Sequence, residues 1–284
     1  MNIISPTIVP APLPDISFSI GAPSMVYGDS IVDNAAKLSD NDPSLKFVEI
    51  VLFHTPELHN IPTPDEIQSL NEIRQRTHIL YTVHLPASLE IGSVYREVRD
   101  ASIRLINEIW LETIVLEPVH YILHIPITPP TLVPVPGQYF TSEASQDWGD
   151  WVARAMDSLL RIRARVGGKG DLLLENINYS PKFLRPFLEA GIGELCLDTG
   201  HLLLGGENVE GVLVEYWDHI RELHLHGVRG YEEHLSLDVL PRNEIISLIS
   251  CLNRLDYQGL INLEVFSRED LKSSLDILFP TCKI

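Results

Sequence analysis

Cysteine is scarce in this chain. The three present, Cys196, Cys251 and Cys282, are scattered, odd in number and without a C-x-x-C pair, so neither a disulfide framework nor a thiolate zinc site is indicated. Basic charge is scarce as well: 21 Lys and Arg stand against 39 Asp and Glu, a formal net charge of −18. A chain this acidic lacks a general grip on a phosphate backbone, and nucleic acid is not expected as a partner. No stretch reaches the ~18 uninterrupted apolar residues of a membrane span. The opening run MNIISPTIVPAPLPDI has no basic start and is broken by four prolines, which argues against a secretory leader. These absences lead to the expectation of a cytoplasmic protein without a membrane partner.

What is present is a rhythm. Short runs rich in Val, Ile and Leu alternate with longer segments of helical period, the pattern of repeated βα units around a parallel sheet. Eight strands are expected, near Ile16–Ile20, Phe47–Phe53, His78–His84, Val119–Ile125, Asp171–Asn176, Glu194–Asp198, Glu222–His226 and Leu260–Phe266. With 284 residues, 45% of them hydrophobic, the chain suits a single (β/α)8 barrel domain, a TIM barrel of α/β class, over residues 1–284 with a Pro-rich N-terminal segment at 1–14. The run SVYREVRDASIRLINEI reads as an outer helix with Ser93 as its N-cap, and RIRAR at Arg161–Arg165 as a helix C-terminus offsetting its dipole. Five prolines and Gly137 within Pro126–Ser142 forbid helix and central strand there, so this segment reads as a stiff loop shaping the binding side.

Ligand-type side chains fall at the C-terminal ends of the expected strands, where a barrel builds its active site. His84 ends YTVHLP, His124 ends the strand of YILHIP, and Glu175 that of LLLEN. Asp198 and His201 lie in LDTGH, His224 and His226 in ELHLHG, and Glu264 in LEVF. Glu232 and His234, in YEEHLSL, are alternate residues able to reach back over the mouth if that stretch is extended. Any one of these has a bland explanation in a capped helix or a satisfied core imidazole. Gathered on one end of one barrel, however, the carboxylates would repel one another unless divalent cations neutralised them. Oxygen and imidazole donors without thiolate suit zinc foremost, with manganese and iron(II) as alternatives.

Taken in this order, HLP with IGS, LHIP, LLLEN, LDTGH, HLHG, EEHLSL and LEVF resemble the endonuclease IV-type barrel superfamily (AP endonuclease family 2, xylose isomerase-like) across essentially the whole chain. The resemblance implies that Glu175 bridges two metals, with His84 and His124 completing one site and Asp198, His224 and Glu264 the second. A third would be held by His201, Glu232 and His234, Glu232 standing where the family usually carries Asp. Glu175, Asp198 and Glu264 would be the catalytic carboxylates. Within the superfamily the chain is most similar to cobamide-remodelling phosphodiesterases, through SIGAPSMVYGDSIVDNAAKL, VEIVLF, HLHG and EHLSL; His54 departs from that group, which carries an acid after strand two. The implied activity is hydrolysis of the phosphoester in the nucleotide loop of a corrinoid, a small-molecule substrate. Four carboxylates, three divalent ions and a bridging hydroxide would leave the site near +1, suited to a phosphodiester anion. Asn176, Asn178 and His226 are candidates to orient the ligand imidazoles, with His226 and Tyr27 also candidates to touch substrate.

Two other readings compete. A sugar isomerase or epimerase on the same barrel needs fewer metal ligands, typically the set corresponding here to Glu175, Asp198, His224 and Glu264. A non-catalytic corrinoid- or metal-binding protein would use the same donors without turnover.

Overall fold

Residues 16–127, 148–166 and 172–279 are described by the computed structural model. The 1–14 segment and residues 128–142 of the Pro-rich loop lie outside them. The β-branched and leucine runs form strands β1 (Ser19–Pro23), β2 (Leu45–Val51), β3 (Leu80–His84), β4 (Tyr121–His124), β5 (Leu172–Glu175), β6 (Glu194–Asp198) and β7 (Ile220–Leu225). After these come β8 (Gly227–Arg229), β9 (Glu232–Leu235) and β10 (Leu260–Leu263). Strands β1 to β7 and β10 are parallel and close a barrel in the order β1, β10, β7, β6, β5, β4, β3, β2. This is the (β/α)8 TIM barrel expected from the alternation of runs, and it places the β-to-α connections on one face.

Helices occupy the crossovers: α1 (Ile31–Asn41), α2 (Pro64–Thr77), α3 (Arg96–Thr113), α4 (Trp148–Val166), α5 (Arg185–Glu189), α6 (Thr199–Leu204), α7 (Val209–Tyr216), α8 (Arg242–Arg254) and α9 (Arg268–Leu278). Their starts follow from local chemistry. Thr63 and Glu66 form a reciprocal capping box ahead of Pro64 in α2, and Ser267 accepts the Asp270 amide at the head of α9. Ser93 does not cap α3, which begins at Arg96; the Ser93 hydroxyl accepts the Tyr95 amide instead. Arg163 and Arg165 do fall in the last turn of α4. Among the described residues no helix is long and apolar enough to cross a membrane.

Alternation along the strands divides the core in two. Outward residues such as Val48, Ile50, Tyr81, Val83, Leu174, Leu197, Leu223 and Ile261 pack under the helices in one large cluster. Inside the barrel a small cluster of Ile122, Leu173 and Cys196 remains, with Phe47 lying against Gly21, where a Cβ would come within 2.5 Å of the ring. The inward positions nearer the C-terminal strand ends are polar: Glu49, Thr82, His84, Glu175, Asp198, Glu222, His224, Asn262 and Glu264 are all buried.

Strand boundaries differ most where turns intervene. Strand β1 runs three residues downstream of the expected Ile16–Ile20, because Ser19 pairs with Leu260 and Pro23 with Glu49. Strand β7 stops at Leu225, short of His226, and Gly227 opens an antiparallel β8–β9 hairpin. Gly227 is required there, since a Cβ would sit 2.1 Å from the Ser236 carbonyl oxygen.

Candidate metal centre

One carboxylate gathers three imidazoles. Glu175, at the end of β5, has Oε2 at 3.0 Å from His84 Nε2 and 2.9 Å from His124 Nε2, and Oε1 at 3.1 Å from His224 Nδ1. His84 Nδ1 donates to the Leu85 carbonyl at 2.9 Å, so a neutral His84 turns its Nε2 lone pair towards Glu175. Two lone pairs cannot meet at that distance without a proton or a cation between them. His224 Nδ1 also lies 3.2 Å from Glu264 Oε2 and 4.0 Å from Asp198 Oδ2. A single proton on that nitrogen serves at most one of three surrounding carboxylates.

Asp198 is held by the chain itself. Its main-chain amide donates to Asn176 Oδ1, its carbonyl accepts from Asn176 Nδ2, both at 2.9 Å, and its Oδ1 caps α6 by accepting the His201 amide at 2.7 Å. The Asn176 carbonyl in turn accepts from His201 Nδ1 at 3.0 Å, so Asn176 orients both residues. That leaves Asp198 Oδ2 buried without a hydrogen-bond partner, as is Glu264 Oε2. Orphaned carboxylate oxygens are costly in a low-dielectric site, and these two fit a divalent cation. Ligand atoms of Glu175, Asp198, His224 and Glu264 all lie within 4.8 Å of one another; so do those of His84, His124 and Glu175, and those of His201, His226 and His234. The donor chemistry fits a divalent ion.

Electrostatics agree with this geometry. Burial opposes the charged form of His84, but the hydrogen bond and charge of Glu175 outweigh it and push the imidazole up to about 9. Burial likewise opposes ionisation of Glu175, yet His224 and His124 hold it well below the ordinary carboxylate range. Asp198 is lowered against its burial by His201 and His226. Without metal, protonated imidazoles neutralise the acids; a divalent ion would displace those protons.

The remaining candidates divide. His201 Nε2 and His234 face the mouth, His234 Nδ1 donating to the Glu264 carbonyl at 3.2 Å. His226 Nδ1 accepts the His234 amide at 2.9 Å and lies 3.3 Å from the Gly227 carbonyl, while its buried Nε2 lies 3.3 Å from Asp198 Oδ1. Glu232 is not brought to the site: its exposed carboxylate meets Arg229 at 3.1 Å, while Glu233 lies 3.6 Å from His201 Nε2. The cause is His234, whose positive φ of 56° breaks the alternation that would put Glu232 and His234 on one face. Asn178 is exposed. Tyr27 sits in the turn after β1, bonded to Asn34 through its amide and under Lys37. His54 is exposed after β2 and paired with His59 at 3.0 Å.

Sequence reasoning missed Glu49, whose Oε2 lies 3.0 Å from His224 Nε2, and Glu222, buried with neither carboxylate oxygen bonded. Their signal was available: Glu49, Thr82, Glu222 and Asn262 occupy inward positions along their strands, three of them two residues before a ligand-type residue.

No protein-family model matches the chain, and no curated protein matches it. Solved structures do. A D-tagatose 3-epimerase-like protein superposes with a TM-score of 0.69 at 21% identity, covering 92% of this chain and 98% of its own. A 3-keto-D-glucoside 4-epimerase from E. coli gives 0.68 at 14% identity, covering 92% and 97%. A xylose isomerase domain protein from Planctomyces limnophilus gives 0.62 at 17%, covering 95% and 96%. The phosphodiesterase expectation is corrected by these neighbours: the same barrel, over nearly its whole length, is that of sugar epimerases and an isomerase-like protein, with no phosphodiester hydrolase or cobamide enzyme among those described. The charge balance behind that expectation also loses a member, because it counted Glu232 among four carboxylates around three ions.

Proposed function

We propose that this chain is a metal-dependent sugar epimerase or isomerase acting beside the carbonyl of a ketose or keto-sugar. The observation that carries the reading is the buried set Glu175, Asp198, His224 and Glu264, three carboxylates and one imidazole at the barrel mouth with two carboxylate oxygens left unpartnered. The likeness of the barrel to those of a D-tagatose 3-epimerase-like protein and a 3-keto-D-glucoside 4-epimerase supports it.

A hydrogen on carbon next to a carbonyl is removed and returned by a base and an acid, and inversion requires them on opposite faces. Glu175 and Glu264 come from β5 and β10, separated in the barrel by β6 and β7, and approach the same His224 nitrogen at 3.1 and 3.2 Å. One takes the proton and the other delivers one, in an order set by the configuration of the sugar. Asp198, clamped by Asn176, holds its place by the main chain and is assigned no proton transfer. His201 and Glu233, 3.6 Å apart and not fully buried, are the side chains to receive sugar hydroxyls. A divalent cation on the four-residue set would polarise the carbonyl and acidify the neighbouring C–H. Manganese and zinc both suit these donors, and His84, His124 and Glu175 are the residues that would take a second ion.

The test is to incubate metal-loaded protein with free ketopentoses, ketohexoses and keto-glycosides and separate the products by chromatography. The expected outcome is conversion of at least one sugar to its epimer or isomer, absent after Glu264→Gln. Tight metal binding with every sugar recovered unchanged would count against the reading.

A further inference from the structure

Glu49 is the one charge inside the apolar run FVEIVLF, and it is fully buried. Burying a carboxylate is expensive unless both oxygens are engaged, and here they are. Oε2 faces His224 Nε2 at 3.0 Å and Oε1 accepts from Asn262 Nδ2 at 2.9 Å. Asn262 is paired in register with His224 across β10 and β7, so the three side chains form one contiguous unit beneath the mouth. Glu49 touches the nitrogen of His224 opposite Nδ1, the atom surrounded by Glu175, Glu264 and Asp198. With both oxygens committed, it acts on the centre through the imidazole.

We propose that Glu49 is a positioning residue that fixes His224 as the tautomer with hydrogen on Nε2, presenting the Nδ1 lone pair to the cation of the four-residue set. The proposal rests on the metal-site reading above. A neutral imidazole carries one N–H. If it sat on Nδ1, the Nε2 lone pair would face a carboxylate oxygen at 3.0 Å, and Nδ1 could not bind metal. With the hydrogen on Nε2 the contact is a charge-assisted hydrogen bond, and the carboxylate makes the imidazole a stronger donor. Asn262 Oδ1 is buried without a partner, so its amide can turn over. Glu49→Gln therefore retains function: the Gln carbonyl accepts from His224 while its NH2 donates to Asn262 Oδ1. Glu49→Met has similar length and no acceptor.

The experiment compares wild type, Glu49→Gln and Glu49→Met. Each metal-free protein is titrated with Zn2+ against a chromophoric chelator, and the imidazoles of the Zn2+-loaded proteins are read by 1H–15N NMR. Expected are a 10- to 100-fold loss of affinity in Glu49→Met, retention to within about tenfold in Glu49→Gln, and a wild-type His224 spectrum with hydrogen on Nε2. Equal affinity in Glu49→Met overturns the proposal, and so does a wild-type His224 protonated on Nδ1, a result that needs no variant to fold. Folded wild type that binds no Zn2+ would overturn the metal-site reading itself.

Discussion

Glu222 lies inside the barrel two residues before His224, fully buried, with neither carboxylate oxygen hydrogen-bonded. Burial, reinforced by the charge of Glu49, raises its carboxyl well above the ordinary 4.5. Below pH 4.5 the group is protonated in both folded and unfolded chains and contributes nothing. Above it the unfolded chain ionises while the folded chain keeps its proton, so stability falls as pH rises. One retained proton corresponds to a slope of about 1.4 kcal/mol per pH unit over the range in which the unfolded chain is ionised and the folded chain is not. Glu222→Gln keeps the shape and removes the titration. Urea unfolding of chelator-treated wild type and variant, measured at about pH 4.5 and 6.5, reads the proton on Glu222 together with its effect on the neighbouring Glu49, His224 and His84. The stability difference should move in favour of the variant as pH rises above 4.5, with a limiting slope of about 1.4 kcal/mol per pH unit. A difference independent of pH would refute the reasoning and show Glu222 ionised in the fold.

Metal affinity is expected to rise with pH up to about 9, where His84 loses the proton that Glu175 holds on it. Each displaced proton contributes roughly tenfold per pH unit, and Mn2+ titrations at pH 6, 7 and 8 with identical affinities would contradict this. Glu232→Ala is expected to leave metal content and sugar turnover unchanged, because its carboxylate faces Arg229 and solvent. A loss of bound metal in that variant would place Glu232 at the site after all.

The strand-end residues were legible because two periodicities coincide. Alternation put His84, His124, Glu175, Asp198, His224 and Glu264 on the inward parity, and barrel architecture put those strand ends at the mouth. Glu49 and Glu222 obey the same parity but lie deeper, where a charge in an apolar strand gives no local sign of its partner across the barrel. The exchange of Glu232 for Glu233 depends on one left-handed residue, His234, which is not glycine and carries no sequence signal. Ser93 differs for a related reason: a good cap residue two positions before the N-cap, Tyr95, is still a good cap residue, and the entry of α3 goes with packing on the buried Ile103, Ile106 and Ile109. The chemistry was the least legible part, since one set of His and carboxylate donors serves hydrolysis and epimerisation alike.

Proton exchange by Glu175 and Glu264 at a carbon beside a sugar carbonyl is measured by running the metal-loaded protein in D2O with a ketose it accepts and following the sugar by NMR. Deuterium is expected at the carbon adjacent to the carbonyl in the wild type, with loss of this incorporation in Glu175→Gln and Glu264→Gln. Unlabelled sugars recovered throughout, or label appearing undiminished in both variants, would contradict it.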